Sequence, residues 1–305
     1  MNNDSILIPN FKIEVDGAEI TPDVRVNVEA LELEEELNLA TMFLIRLSSF
    51  DFNDAEWNYL DLDIFKIGGE IKIAMGFDKP EPLMVGEITS LEPFFSQSES
   101  YIEIRGYDRL HRLGIGKKTR SFKDVKDSDI VSTIAGDWSL TPETENTDTL
   151  YPHVFQNNQS DLNFLLTRAR RLGFELSVRD KTLHFNKPKI NESPEITLEH
   201  KKDFTWFSAR LNAKYQSDEI LVQGWDFVKK EALSAKAKDG DELSKMKAEE
   251  TTASLSKKAF GEASSAIVDE GLIDKTEAET IAIAQYNTQL VESLTGEGLC
   301  DGEPK

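Results

Sequence analysis

A single cysteine, Cys300, stands in the whole chain, so no internal disulfide can form, which fits synthesis and folding in a reducing cytoplasm. No stretch approaches about 18 consecutive apolar residues, which excludes a membrane-spanning helix. The opening residues MNNDSILIPNFKIEV carry neither a basic flank nor an apolar core of the kind a secretory signal needs, so none is expected. Basic residues are outnumbered: 35 Lys and Arg against 56 Asp and Glu leave a net charge of −21. Phosphate backbones need a basic patch, so neither a duplex-binding surface nor specific nucleic-acid binding is expected. Such an acidic surface favours solubility and repels other polyanions, and in a conduit it would keep passing cargo from sticking.

The material for a packed core is present: 39% of the 305 residues are hydrophobic, with 17 Phe and 4 Trp. That length suits about two domains. Residues 11–108 read as β structure. FKIEVDGAEI alternates around Asp16-Gly17, a strong hairpin signal. VRVNVEAL alternates again, ATMFLIRLSS is a continuous apolar strand, and GEIKIAMGF follows with period two. LMVGEITSLEPFF and SYIEIRGYD are two long strands joined by the polar turn SQSES. DAEWNYLDLDIF, between them and the earlier strands, is ambiguous and has room for a short helical turn. Many short strands with no helix of length predict a barrel or sandwich.

After Tyr107 the pattern changes. DSDIVSTIAGDW is an amphipathic helix with Ile130, Val131, Ile134 and Ala135 on one side and the capping types Asp127, Ser128 and Asp129 at its start. TPETENTDTLYP reads as a polar surface loop. SDLNFLLTRARRLG is the clearest helix: Ser160 caps it, Asp161 and Arg170-Arg171 suit its two ends, and Gly173 stops it. FELSVRDKTLHF is a hairpin about Arg179–Lys181. Residues 109–190 thus form a small α/β insertion of helix plus hairpin, and strands return from ITLEHKKDFTWFSARLNAKY to DEILVQGWDF. The charged stretch 229–260 reads as an exposed loop or marginal helix, and KTEAETIAIAQYNTQLVESL as a helix over about 275–294. The tail GEGLCDGEPK has turn chemistry, with no strand after it.

Chemical motifs are few. GIGKKT, within RGYDRLHRLGIGKKTRSF, looks like a phosphate-cradling loop, which requires G-x-x-x-x-G-K-[ST] between a buried strand and a helix. Counting back from Gly116-Lys117, the first glycine position holds His111, and Lys118 stands where Ser or Thr belongs. The segment reads instead as a flexible link whose Lys117, Lys118 and Arg120 are solvated or pair with carboxylates. His111, His153, His184 and His200 lie in separate segments with no i, i+4 pair, so no zinc site is expected. Cys300 sits in an acidic turn, which disfavours a reactive thiolate, and no G-x-S-x-G elbow occurs. Among 56 acids, chance carboxylate pairs are inevitable and point to no particular acid–base site. No catalytic, cofactor-binding or metal-binding residue is assigned, and the chain is not expected to be an enzyme.

The order of segments resembles the phage late control protein D family, the baseplate hub proteins of contractile tails, and more distantly the hub half of the type VI secretion spike protein VgrG. The residues that carry the resemblance are IEIRGYDRLHRLGIGKKTRSF (102–122), DSDIVSTIA (127–135), FQNNQSDLNFLLTRARRLGFELSVRDKTLHF (155–185) and QGWDF (223–227). In that family a strand ending in G-Y-D is followed by H-R-L, a basic K-T-R-x-F link, a D-S-D-I-V helix, and Q-x-x-x-S-D-L before R-A-R-x-x-G. The match is specific over residues 85–227, weaker before and vague beyond.

The resemblance implies an α+β, mainly β chain. Two tail-tube-like β-barrels, residues 1–108 and 191–305, flank the insertion at 109–190. It further implies a non-catalytic homotrimer whose six barrels form a pseudo-hexameric ring between a hexameric tail tube and a trimeric spike, in contact with other baseplate proteins. The particle is a phage virion or a phage-like injection device, built from cytoplasmic protein. A three-fold object can present six docking edges by duplicating the docking unit. The long strands at 83–95 and 99–108 are candidates for the channel-facing sheet. The family's second barrel is completed by strands after the C-terminal helix, so here either the barrel lacks its final strands, the chain being truncated or split with a partner chain supplying them, or the last third is built differently. The alternative function is a cell-wall-acting or carbohydrate-binding tail protein, motivated by the insertion.

Overall fold

The structure is a computed structural model that describes residues 9–51, 56–57, 64–190, 197–214, 216–245, 248–269, 271–300 and 302. It is mainly β with several sheets, as expected. The first third contributes β1 (Pro9–Val15), β2 (Ala18–Glu19), α1 (Pro22–Arg25), β3 (Val28–Glu34), β4 (Met42–Ser48), β5 (Phe50–Asp51), β6 (Glu56–Trp57), β7 (Glu70–Phe77), β8 (Glu81–Phe95) and β9 (Ser100–Tyr107). Seven of these form one antiparallel sheet in the order β2-β1-β7-β8-β9-β4-β3. Its core face carries Ile13, Phe43, Ile45, Leu47, Ile71, Ile73, Ile102 and Ile104. The Asp16-Gly17 hairpin forms with both residues at positive φ, 49° and 83°, as a two-residue primed turn requires.

Three expectations for this region need correction or bounding. The sheet is open: β2 and β3 are its edges, and no ladder joins them among the described residues, so the barrel is not closed by hydrogen bonds. The strand expected from Val24 starts later, because Pro22, with its fixed φ, opens one helical turn that buries Val24. The helical turn expected within 54–65 falls largely outside the described residues, while Glu56–Trp57 pairs with β5 as a strand.

A second core gathers Leu110, Leu113, Ile130, Val131, Ile134, Phe164, Leu165, Leu176, Leu183 and Phe185. A 3-10 turn at Arg109–Gly114 leads into β10 (Lys118–Val125), α2 (Asp127–Asp137), β11 (Thr141–Thr144), β12 (Tyr151–Gln159), α3 (Asp161–Leu172), β13 (Glu175–Arg179) and β14 (Thr182–Asn186). Ser160 accepts the Asn163 N–H at 3.2 Å, and Gly173 ends α3 in the left-handed region, as the caps predict. The stretch 141–152 is more than a surface loop. Its first residues pair in parallel with β14, and Thr147 and Thr149 are buried, Thr147 accepting the Ser128 N–H.

The remainder supplies β15 (Phe204–Leu211), β16 (Glu219–Asp226), β17 (Glu231–Lys238), α4 (Thr252–Phe260), β18 (Ser264–Asp269), α5 (Lys275–Ser293) and β19 (Leu294–Cys300). The sheet β17-β16-β18 packs Ile220, Val222, Leu233, Ala235 and Ala237 against Ala278, Ile281, Ala282 and Tyr286 of α5. Here the charged segment expected to be an exposed loop or marginal helix forms a helix only at its end, in α4, and begins with the strand β17. In EALSAKAK the alternation is carried by small residues, with Leu233, Ala235 and Ala237 facing in. The described start of the tail read as a turn, up to Cys300, also belongs to a strand, β19, antiparallel to β15.

Candidate assembly surfaces

The D-R-L-H-R-L motif builds a charged joint. Asp108 accepts the backbone N–H groups of Leu110 at 2.8 Å and Thr41 at 2.9 Å. Burial pushes its carboxyl above the usual carboxylate range, and those two backbone hydrogen bonds oppose the shift. A 3-10 turn has three residues per turn, so Arg109 and Arg112 point the same way, and both reach the buried Glu87 of β8. Arg109 also meets Glu70 of β7 at 2.5 Å and Asp180, at the β13–β14 turn, at 2.9 Å. Arg112 grips Glu87 through two nitrogens, Nε at 2.7 Å being one. One turn of chain thus fastens the first sheet to the hairpin of the second core. His111 belongs to the same joint, its Nδ1 lying 2.7 Å from the Asp108 carbonyl.

The basic segment after it is a strand, not a flexible link. β10 pairs with β12, and Lys118 and Arg120 turn onto carboxylates, as one of the two expected alternatives had it, while Lys117 is exposed to solvent as the other had it. Asp161, fully buried at its side chain, receives Lys118 Nζ at 2.6 Å, Arg120 at 2.8 Å, Trp138 Nε1 at 2.8 Å and Gln156 Nε2 at 2.9 Å. Burial alone would raise its carboxyl. The hydrogen bonds from Lys118, Gln156 and Trp138, with the Arg120 charge, outweigh it and hold the group below its ordinary range. Gly116 takes a φ of 70° at the bend before β10, a conformation that favours glycine on backbone grounds alone.

A third ionic cluster ties the second core to α5. Glu277, buried in the first turn of α5, accepts from Tyr151 at 2.9 Å and from Arg171 at 2.8 Å. Arg168 pairs with Asp127 at 2.5 Å and covers the Tyr151 ring. Burial, with the Asp127 charge next, drives the Tyr151 hydroxyl far above its usual range. These partners are separated by 106 and 126 residues in sequence, so no local pattern announces them.

The remaining histidines stay apart. His153 Nε2 lies 3.0 Å from Ser121 Oγ, His184 lies 3.4 Å from Glu143, and His200 packs on Phe204. Cys300 is exposed at the end of β19. Among the described residues no group of three or more His, Cys, Asp and Glu side chains is placed to hold a metal ion.

What the structure leaves uncovered is β surface. β15 and β19 form a two-stranded ribbon in which all residues but Phe204 are exposed. Opposed residues share a face, so one face presents Phe207, Ala209, Leu211, Leu294, Gly296 and Gly298, all apolar. The Phe207 ring lies across both glycines yet is 61% exposed, and Leu211 is 60% exposed. An isolated two-stranded ribbon is marginal in water, and its free edges invite pairing. The β8–β9 hairpin likewise carries Phe94, stacked on Tyr101 at 4.8 Å and 41% exposed, beside its Ser96–Glu99 turn. The sequence singled out neither β19 nor this ribbon. Leu294 and Leu299 around a glycine pair are a weak strand signal, legible once Phe207 supplies the missing bulk.

Solved structures share this fold. The 43 kDa tail protein of prophage MuSo2 from Shewanella oneidensis superposes with a TM-score of 0.70 at 12% identity, over 97% of this chain and 83% of that one. A tail protein from Neisseria meningitidis MC58 gives 0.63 at 14% identity over 97% and 82%. The prophage tail protein gp18 from Listeria monocytogenes EGD-e gives 0.58 at 10% identity over 94% and 80%. At such identities the likeness is one of fold. No curated protein matches the chain. A family model described as the Alg8 N-terminal domain matches residues 5–305, and the chain belongs to that family.

Proposed function

We propose that this chain is a structural subunit of a phage tail or a phage-like contractile injection particle, acting by assembly and not by catalysis. The observation that carries this reading is the end-to-end likeness to tail proteins, which spans 97% of the chain at a TM-score of 0.70. Buried ionic joints fasten the three cores together, and the exposed ribbons offer edges for assembly.

The finer reading is a baseplate hub of the late control protein D type. The first and third cores, residues 1–108 and 191–305, are its two tube-like units and residues 109–190 the insertion between them. Three chains then form a pseudo-hexameric ring that accepts a hexameric tube above and a trimeric spike below. Supporting it is the ordered run from Gly106-Tyr107-Asp108 to Arg168-Ala169-Arg170, whose residues build the joint and α3. Co-expression with the tube and spike proteins tests it. Three copies of the chain joined to both partners are expected, and a monomer that ignores both would overturn it.

A further inference from the structure

Two free-edge strands of this chain have opposite charge. β3 is paired with β4 alone among the described residues, and β15 with β19, apart from one bridge between its first residue, Phe204, and His200. Neither strand contains proline, so the β3 edge, and the β15 edge beyond Phe204, offer their N–H and C=O groups. Between Val26 and Asn38, around β3, stand Glu29, Glu32, Glu34, Glu35 and Glu36 with no basic residue. Glu29, Glu32 and Glu34 are exposed. Between Lys201 and Lys214, around β15, stand Lys201, Lys202, Arg210 and Lys214 against the single acid Asp203. Arg210 is exposed on the strand itself.

Resting on the tail-subunit reading above, we propose that β15 of one copy adds to the β3 edge of the next copy, extending the seven-stranded sheet across the subunit boundary. Charge selects this pairing over the alternatives. Two β3 edges would bring glutamates against glutamates, and two β15 edges would bring cations together, whereas β15 on β3 places Arg210 and the flanking lysines along a glutamate row. The contact is heterologous, since different surfaces meet, and a heterologous contact that closes produces a ring. Backbone hydrogen bonds provide the adhesion and the charges set the partner, the division of labour of strand addition. The apolar face of Phe207, Leu211 and Leu294 then continues one face of the neighbouring sheet across the boundary.

The test uses charge reversal on the full chain, with all altered residues exposed so that folding is preserved. One variant carries Lys201→Glu and Arg210→Glu, a second Glu32→Lys and Glu34→Lys, and a third all four. Self-association is read by light scattering across a concentration series, and far-ultraviolet circular dichroism checks each fold. Each pair alone should weaken association by about tenfold or more, since like charges then face each other. The fourfold variant should recover to within about threefold of the native chain. Native chain that assembles while both pair variants assemble equally well overturns the proposal and leaves the tail-subunit reading standing. So does a folded fourfold variant that stays dispersed. Native chain that is monomeric at every concentration, and with tube and spike proteins present, overturns the reading and the proposal together.

Discussion

Arg109 Nε lies 3.3 Å from a Glu87 carboxylate oxygen, with the two side chains only 6% and 8% exposed. This buried pair is the centre of the joint between the first sheet and the second core, because the same guanidinium also binds Glu70 and Asp180. Without Arg109 the buried Glu87 keeps only Arg112 of its two arginines, and Glu70 and Asp180 lose their shared partner. Arg109→Met should therefore cost about 3 kcal/mol, seen as a lower urea midpoint. An unchanged midpoint would show that the joint contributes nothing.

Gly106 of the G-Y-D motif is small for a packing reason. A Cβ there would sit 2.0 Å from the Glu87 carbonyl oxygen and 2.5 Å from the Phe43 ring, neither of which can yield cheaply. Gly106→Ala should lower stability by about 3 kcal/mol through overpacking. Gly114→Ala is the control, since its nearest new neighbour is the Leu162 methyl at 3.8 Å. Equal denaturation midpoints for the two variants would refute the close-approach account.

Asp161 makes stability depend on pH in a defined direction. Its folded-state carboxyl is held below the ordinary value, so the stabilisation from its ionised form is present above about pH 4 and is lost as pH falls through the depressed folded value. Asp161→Asn should be less stable than the native chain at pH 7, and the gap should narrow under acid. Thermal midpoints measured from pH 7 to pH 2 check this, and a gap that widens on acidification contradicts the assignment.

The ribbon should separate assembly from folding. Phe207 is exposed in the single chain, so Phe207→Ser should change monomer stability by only about 0.5 kcal/mol while assembly falls sharply. Paired denaturation and light-scattering measurements distinguish the two. A variant that assembles normally would remove the ribbon from the account.

What was legible in the sequence was local. The Asp16-Gly17 turn, the Ser160 cap and the Gly173 stop each state their geometry within a few residues, and each forms as read. The stripe Ile130, Val131, Ile134 and Ala135 states its burial the same way. The joints were not legible, since Glu87 meets Arg112 and Glu277 meets Tyr151 only after the chain has folded. β17 was obscured because alanine marks its inner face as weakly as it marks a helix, and lysine and serine fill the outer one. β19 was obscured because Gly296 and Gly298 leave their volume to Phe207, which lies about ninety residues earlier in the chain. The resemblance to hub proteins did not tell that the basic segment after Gly116 is a strand, whose cations Lys118 and Arg120 meet Asp161 across the core.

The most direct test of the central claim is the copy number of the full chain in a purified complex with the proposed tube and spike partners, measured by light scattering and native mass spectrometry. Three copies of this chain in a complex holding both partners is the expected result. A single copy, or a chain that purifies away from tube and spike alike, would contradict the assignment of this protein to the tail.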